Sequence, residues 1–387
     1  MRYYIIAGEA SGDLHASNLM KAFKEQDSEA DFRYWGGDLM KEQGGTLVRH
    51  YKDTAVMGLW DVLMNLNSIK KNFKLCQDDL LAYEPDVLIL VDYAGFNLRM
   101  AKFAHQNNIL TYYYISPKIW AWNQKRVKKI KANVDRMFTI LPFETTFFEK
   151  HGVEVQYSGN PVLDAIDNRD NKDEAFETFI ERNKLDKRPK VALLAGSRKG
   201  EISYNLPDML EMVDKFKNFQ FVIAGAPSFS VDEYKPYIGS KDVAVVSGQT
   251  YQLLQQATAA LVTSGTATLE TALLNCPQVV CYKMWGGGFT DFIAKKILIK
   301  VPYISLVNLV LDKEAVLELF QNDFSLEKLE SELSALLEDS TRRRSMLADY
   351  EELHRRMGGP GSSARTAKLM LEALEADKGS NTVENKK

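Results

Sequence analysis

The chain has 387 residues, 45% of them hydrophobic and 26% charged, and a formal net charge of −3. That length exceeds what one core fills and suits two, and the balanced charge offers no general basic surface for nucleic acid. Three irregularly placed cysteines, Cys76, Cys276 and Cys281, exclude a disulfide framework and a C-x-x-C metal site, and the five histidines form no H-E-x-x-H pattern.

From the N-terminus, Arg2-Tyr-Tyr-Ile-Ile-Ala7 runs into Gly8-Glu-Ala-Ser-Gly12-Asp and then a helical pattern from Leu14 to Phe23. The apolar stretch after Arg2 is too short for a signal peptide. Further strands are expected at 31–35, 87–91, 110–114, 136–140 and 155–157, with amphipathic segments between most of them. This alternation is the mark of βαβ units and a parallel sheet. A polar stretch, 164–189, then separates the halves. The second half repeats the opening: Lys190-Val-Ala-Leu-Leu-Ala195, Gly196-Ser-Arg-Lys-Gly200-Glu, then a helix. Its remaining strands are expected at 219–224, 243–246, 259–262, 279–281 and 303–306. From Phe324 the pattern turns helical, and a last helix follows the Gly358-Gly-Pro-Gly361 break. The expected organisation is α/β: two facing Rossmann-like domains, 1–168 and 169–357, with a cleft between them. A helix at 358–377 packs across both, and a disordered tail covers 378–387. The longest apolar runs, 87–91 and 304–311, fall far short of the ~20 residues of a membrane-spanning helix, so the protein is expected to be soluble or peripheral.

A buried parallel strand feeding a glycine turn and a helix N-terminus makes a ligand crevice. Ser264-Gly-Thr-Ala-Thr-Leu-Glu270 follows such a strand. It reads either as an N-capped core helix or as an anion site, with hydroxyls at Ser264 and Thr266 and a carboxylate, Glu270, for ribose hydroxyls. Gly196-Ser197-Arg198 is the companion turn, where Arg198 either forks onto a phosphate or is a solvated charge. Together they favour a diphosphate or nucleotide. A Walker-type loop and a full G-x-G-x-x-G are both missing from the sequence. Asp92 ends the run Val87-Leu-Ile-Leu-Val91, where it is either a helix cap or a partly buried general base. The stretch Ser116-Pro-Lys-Ile-Trp-Ala-Trp-Asn-Gln-Lys-Arg126 sets two tryptophans among lysines and suits an anionic small substrate or surface. Two segments, 59–74 and 289–300, interleave apolar residues with lysines, as interfacial helices do; a core-facing helix with a basic edge is the other reading.

Several blocks resemble one family, lipid-A-disaccharide synthase. They are Ala7-Gly-Glu-Ala-Ser-Gly-Asp13, Ala55-Val-Met-Gly58, Ser116-Pro-Lys-Ile-Trp-Ala-Trp122 through Gln124-Lys-Arg126, Leu141-Pro-Phe-Glu144, Leu194-Ala-Gly-Ser-Arg198, Ser264-Gly-Thr-Ala-Thr-Leu-Glu270 and Ser305-Leu-Val-Asn-Leu309. The resemblance implies a GT-B fold and an enzyme peripheral on the cytoplasmic face of a Gram-negative inner membrane. The implied reaction joins UDP-2,3-diacylglucosamine to 2,3-diacylglucosamine 1-phosphate, giving a β-1,6 disaccharide and UDP with inversion. It assigns the donor to Gly196, Ser197, Arg198, Ser264, Gly265, Thr266, Glu270 and Asn308. The acceptor falls to Gly8, Ser11, Gly12, Lys118, Trp120 and Arg126, and catalysis to Asp92 and Glu9. No cofactor and no metal are implied, and the two apolar-basic segments become the membrane contact.

One departure from the family pattern stands at Asp92-Tyr-Ala-Gly95-Phe-Asn97, where Gly95 occupies the place of a second Asp. Asp92 therefore acts alone or with Glu9. The 361–373 segment is exchanged between subunits in some relatives, which leaves monomer and homodimer both open. The competing functions are another UDP-sugar enzyme on this fold, such as a UDP-N-acetylglucosamine 2-epimerase or a transferase with a soluble acceptor, and a non-catalytic UDP-sugar or lipid binder.

Overall fold

The computed structural model describes residues 1–53, 66–122, 124–283, 301–321 and 324–384. Among them the chain forms two compact units, Met1–Asp164 together with Gly359–Lys387, and Ala165–Gly358.

The first unit is built on β1 (Arg2–Ala7), β2 (Asp31–Gly36), β3 (Thr46–His50), β4 (Val87–Val91), β5 (Thr111–Tyr114), β6 (Arg136–Thr139) and β7 (Gln156–Tyr157). All are parallel, in the order β3-β2-β1-β4-β5-β6-β7. The period-two pleat sends alternate side chains to opposite faces. Tyr3, Ile5 and Ala7 of β1 join Ala16, Leu19 and Phe23 of the helix Ala10–Gln26. Tyr4 and Ile6 join Cys76, Leu80 and Ala101 on the other side. Both faces being covered, β4 has no polar residue at all, as parallel central strands require.

The last helix, Ser362–Glu384, falls in this unit. Its Ala367, Met370 and Leu374 are buried in the same cluster as β1. The helix also runs through most of the tail expected to be disordered. The buried Asp164 carboxylate fixes its start, accepting from the amides of Gly361 (2.5 Å), Ser362 (3.0 Å) and Ser363 (2.9 Å) and from Ser363 Oγ (3.0 Å). Farther along, Asp377 pairs with Arg136 at 2.6 Å and accepts from the Tyr112 hydroxyl at 2.9 Å.

The second unit contains β8 (Lys190–Leu194), β9 (Gln220–Gly225), β10 (Val243–Ser247), β11 (Ala257–Val262), β12 (Gln278–Tyr282) and β13 (Glu318–Phe320). These are again parallel, in the order β10-β9-β8-β11-β12-β13. The strand expected at 303–306 is replaced by a cap and a helix. Ser305 Oγ accepts from the Asn308 amide at 3.2 Å and starts the helix Leu306–Leu311, whose apolar residues are largely buried. Among the described residues no helix is long and apolar enough to cross a membrane.

Candidate functional site

In each sheet the strand order reverses once, between β1 and β4 and between β8 and β11. Connections leaving those two strands diverge to opposite sides of the sheet, so a crevice opens outside their carboxyl ends. The sequence-predicted residues fall at these ends. Gly8 and Glu9 leave β1, Asp92 leaves β4, Gly196–Arg198 leaves β8, and Ser264–Thr266 leaves β11.

At the first reversal Asp92 and Tyr93 take successive left-handed conformations, φ 44° and 46°. For non-glycine residues each costs on the order of 1–2 kcal/mol. The Asp92 carbonyl is held in place by the Asn97 side-chain amide (2.9 Å) and the Tyr113 hydroxyl. Asn97 Nδ2 also reaches the Val91 carbonyl at 3.1 Å, which ties the turn to the strand. Gly8 is required beside it, since a Cβ there would lie 2.3 Å from the Tyr93 ring. Burial, and after it the charge of Glu9, push the Asp92 carboxyl up to about 6 against the lowering influence of Lys118 and the Tyr93 amide. Glu9, Asp92 and Lys118 thus form one electrostatic group. Ser11 is exposed at the start of the helix Ala10–Gln26, whereas Gly12 is buried, a Cβ there lying 3.3 Å from that of Ala7. It allows close packing of helix on strand. Asp13, which the sequence reading passed over, accepts from the amides of Gly37 (2.7 Å), Leu39 (3.1 Å) and Met40 (3.1 Å) and so holds the helix Asp38–Glu42.

Lys118 is exposed on the loop after β5, and Arg126 is half-buried in the turn Gln124–Arg126. Trp120, expected to meet the acceptor, is buried instead. Its Nε1 donates to Glu144 Oε1 at 3.1 Å and its ring meets Phe143 edge-on. Glu144 was not singled out for a role. It is fully buried, and burial pushes it up to about 7 despite bonds from Ser116, the Leu141 amide and Trp120.

At the second reversal, β8 and β11 are in register through Leu194 and Val262, so their two turns are neighbours. Gly196 has φ 111° and Gly265 φ 152°, backbone that L side chains rarely adopt. The amides of Ser197 and Arg198 are already occupied, accepting partners being Glu201 Oε2 at 2.9 and 3.3 Å. An anion here must therefore rely on the exposed Arg198 guanidinium and on the helix Thr266–Leu273, whose first amides have no intrahelical acceptor. Glu270 is partly buried, and burial raises its pKa. One of its oxygens accepts from the Tyr251 hydroxyl at 2.7 Å. Ser264 Oγ donates to the Ile304 carbonyl at 3.2 Å. Asn308 was expected to reach a ligand, but it is fully buried and committed to its own loop. Its Nδ2 donates to the Val316 carbonyl and Glu318, both at 2.8 Å, and its Oδ1 accepts from the amides of Ala315 and Val316. That leaves its amide no donor or acceptor for a ligand.

Of the two apolar-basic segments, 289–300 and the 59–65 part of the first lie outside the described residues. In the helix Leu66–Tyr83, Phe73 is partly buried and stacked on Phe96 at 4.3 Å, and Lys70, Lys71 and Lys74 are exposed. This described portion follows the core-facing pattern. Among the described residues no group of three or more His, Cys, Asp or Glu is placed to hold a metal ion.

Solved structures share this architecture. The chain is similar to a UDP-bound Staphylococcus aureus MnaA (TM-score 0.68, 12% identity, 97% of each chain covered). It is also similar to the UDP-GlcNAc 2-epimerase of Neisseria meningitidis (TM-score 0.63, 12% identity, 97% of this chain and 100% of that one). The glycosyltransferase of kitacinnamycin aligns at TM-score 0.61 and 14% identity, over 96% of this chain and 99% of that one. Two Rossmann-type parallel sheets, with the likeness to these structures, place the molecule in the GT-B class of fold.

Sequence comparison narrows the class to one family. The family model described as lipid-A-disaccharide synthetase matches residues 3–373. The lipid-A-disaccharide synthase of Trichlorobacter lovleyi is 37% identical over 97% of this chain and 98% of its own length. That of Syntrophus aciditrophicus is 36% identical over 96% and 97%. The chain belongs to the lipid-A-disaccharide synthase family, glycosyltransferases of lipid A biosynthesis.

Proposed function

We propose that the enzyme transfers a 2,3-diacylglucosamine unit from its UDP donor to O6 of 2,3-diacylglucosamine 1-phosphate, with inversion. The observation that carries the mechanism is Asp92, a carboxylate at the strand-order reversal of the first unit, raised to about 6 by burial and by Glu9. A base of that strength is mostly ionised at neutral pH yet basic enough to take a hydroxyl proton as a bond forms. In one displacement the acceptor O6 attacks the anomeric carbon, its proton passes to Asp92, and the anomeric C–O bond breaks with its electron pair leaving on UDP. The growing diphosphate charge is met by Arg198 and by the N-terminal end of the helix Thr266–Leu273, with Gly196, Ser197, Ser264 and Gly265 shaping the turns and Thr266 adding a hydroxyl. The second oxygen of Glu270 takes the ribose hydroxyls. The scheme invokes no metal, assigning the neutralising role to the Arg198 guanidinium and the helix N-terminus. Gly8, Ser11, Lys118 and Arg126 line the acceptor side, the two cations meeting its 1-phosphate.

Substrates carrying acyl chains favour an enzyme working at a membrane surface, here read as the cytoplasmic face of the inner membrane. Turnover in detergent micelles with both acylated substrates, wild type beside Asp92→Ala and each checked for UDP binding, tests the reading. Disaccharide from wild type alone, with UDP binding retained by both, is the expected result. UDP binding without disaccharide from wild type would sink the lipid acceptor, and equal turnover would remove Asp92.

A further inference from the structure

We propose that Glu144 is a positioning residue for the transfer reaction: its buried carboxylate holds the loop 116–120 so that Lys118 stands beside Asp92. The inference rests on the reading of Asp92 as the base.

Glu144 sits in the first turn of the helix Pro142–Glu149, and its Oε2 accepts from the Leu141 amide at 3.1 Å. That bond by itself is an ordinary helix cap, and a cap needs no burial. Glu233 makes the same bond to Ser230 at 2.8 Å while exposed to solvent. Burying a carboxylate costs several kcal/mol unless it is fully paired, so Glu144 must serve something beyond the cap. Its other oxygen reaches a different segment, accepting from Ser116 Oγ at 2.9 Å and Trp120 Nε1 at 3.1 Å. Those two residues bracket Lys118. The loop leaves β5 through Ile115 at φ 62°, a left-handed conformation that a β-branched side chain strongly disfavours. A segment entered through such a residue needs an external restraint, and the shared carboxylate oxygen supplies one at each end of the lysine.

The loop is also next to the base. β5 pairs with β4, and the Asp92 amide donates to the Tyr114 carbonyl at 3.2 Å. The groups that act on Asp92 are Glu9, Lys118, the Tyr93 amide and, through its carbonyl, Tyr113 and Asn97. Those that act on Glu144 are Ser116, Trp120, the amides of Ile140 and Leu141, and Tyr157. Lys118 is thus the cation opposing Glu9 at Asp92, and its position depends on a residue that touches neither substrate nor base. Glutamine cannot replace Glu144 in this arrangement. It offers one acceptor oxygen where donors converge on two, and its NH2 would face an N–H.

The test is the pH profile of kcat/KM for the full chain in detergent micelles, comparing Glu144→Gln, Lys118→Met and the double variant. Glu144→Gln should keep UDP affinity, lower kcat/KM by about tenfold to a hundredfold, and move the acidic limb up by about one pH unit. Lys118→Met should move the limb equally, and the double variant no further. A limb that stays in place in Glu144→Gln, or shifts that add in the double variant, overturns the proposal. If Glu144→Gln does not fold, the pair Ser116→Ala and Trp120→Phe removes the donors and keeps the carboxylate; it must shift the limb in the same way, and an unmoved limb overturns the proposal. A wild-type profile with no acidic limb near 6, together with full turnover by Asp92→Asn, ends the base reading instead. The coupling is then read in the acceptor KM, where non-additive Glu144 and Lys118 effects sustain positioning and additive ones end it.

Discussion

Replacing Asp92 with Asn should destroy activity and stabilise the protein, both for the same reason. Burial and Glu9 lift this carboxyl from 3.8 to about 6. At roughly 1.36 kcal/mol per unit the ionised form is disfavoured by up to about 3 kcal/mol in the folded state. The sign follows from proton binding. Between these two values the folded chain holds the proton more tightly than the unfolded one, so stability falls as pH rises through that window, and the full cost is present above about 6. Asn carries no charge and tolerates the left-handed backbone that Asp92 adopts. Asp92→Asn should therefore melt later than wild type at pH 7.5, by about 1–3 kcal/mol in the first unit, with the advantage gone near pH 3.5. Turnover should drop by about 10²–10⁴, the usual contribution of a general base, while wild-type kcat/KM falls with a midpoint near 6. Urea melts at both pH values, set beside micellar turnover, measure all of this. A variant less stable than wild type at pH 7.5, or one within tenfold of its turnover, refutes the argument.

Three further outcomes follow from the same geometry. Glu9→Gln removes the like charge beside Asp92, so the acidic limb should move to lower pH; a rise, or no movement, contradicts the pairing. Arg198→Ala should weaken UDP binding by about 10- to 100-fold, the worth of a charge-assisted bond of about 1.5–3 kcal/mol, as read by calorimetry; unchanged affinity would return Arg198 to the status of a solvated charge. Asp164→Ala strips the acceptor from three amides and a hydroxyl at the start of the last helix and should destabilise the first unit by about 2–4 kcal/mol without altering UDP affinity. Cleavage near 359–363 in limited proteolysis should rise with it, and a fully resistant variant would count against that anchor.

The central strands were legible because parallel strands covered on both faces read as unbroken apolar runs: 87–91 was expected and is β4. The strands left out, β3 and β13, are two of the four edge strands, and Thr46-Leu-Val-Arg-His50 is only partly buried. An edge strand needs less apolar surface, so its run is shorter and more polar. The apolar stretch 304–311 misled in the other direction, because length alone does not separate a buried strand from a short buried helix; the Ser305 cap decides it. At the site, the turns at 8–12, 92, 196–198 and 264–270 were legible as glycines, acids and hydroxyls following apolar strands. The tasks of Asp13, Glu144, Glu201 and Asp164 were not. Each is a carboxylate defined by the groups that donate to it: amides from elsewhere in the chain for Asp13 and Asp164, distant side chains as well as local amides for Glu144, and local amides for Glu201. Asn308 failed for the converse reason, since a polar side chain near a predicted site looks the same whether it faces a ligand or its own loop.

The last helix completes the core around β1, and this sets an order of assembly at the ribosome. Between Asp164 and Gly359, the ends of the two stretches that make up the first unit, 194 residues must be synthesised. At ~5–20 residues per second that is roughly 10–40 s of translation. During that interval the face of helix Ala10–Gln26 that receives Met370 and Leu374 has no cover. The middle of the chain, Ala165–Gly358, is synthesised without interruption and is free to close first. Translation from the N-terminus thus finishes the first unit last, and the nascent surface in need of a chaperone belongs to the unit that carries Asp92.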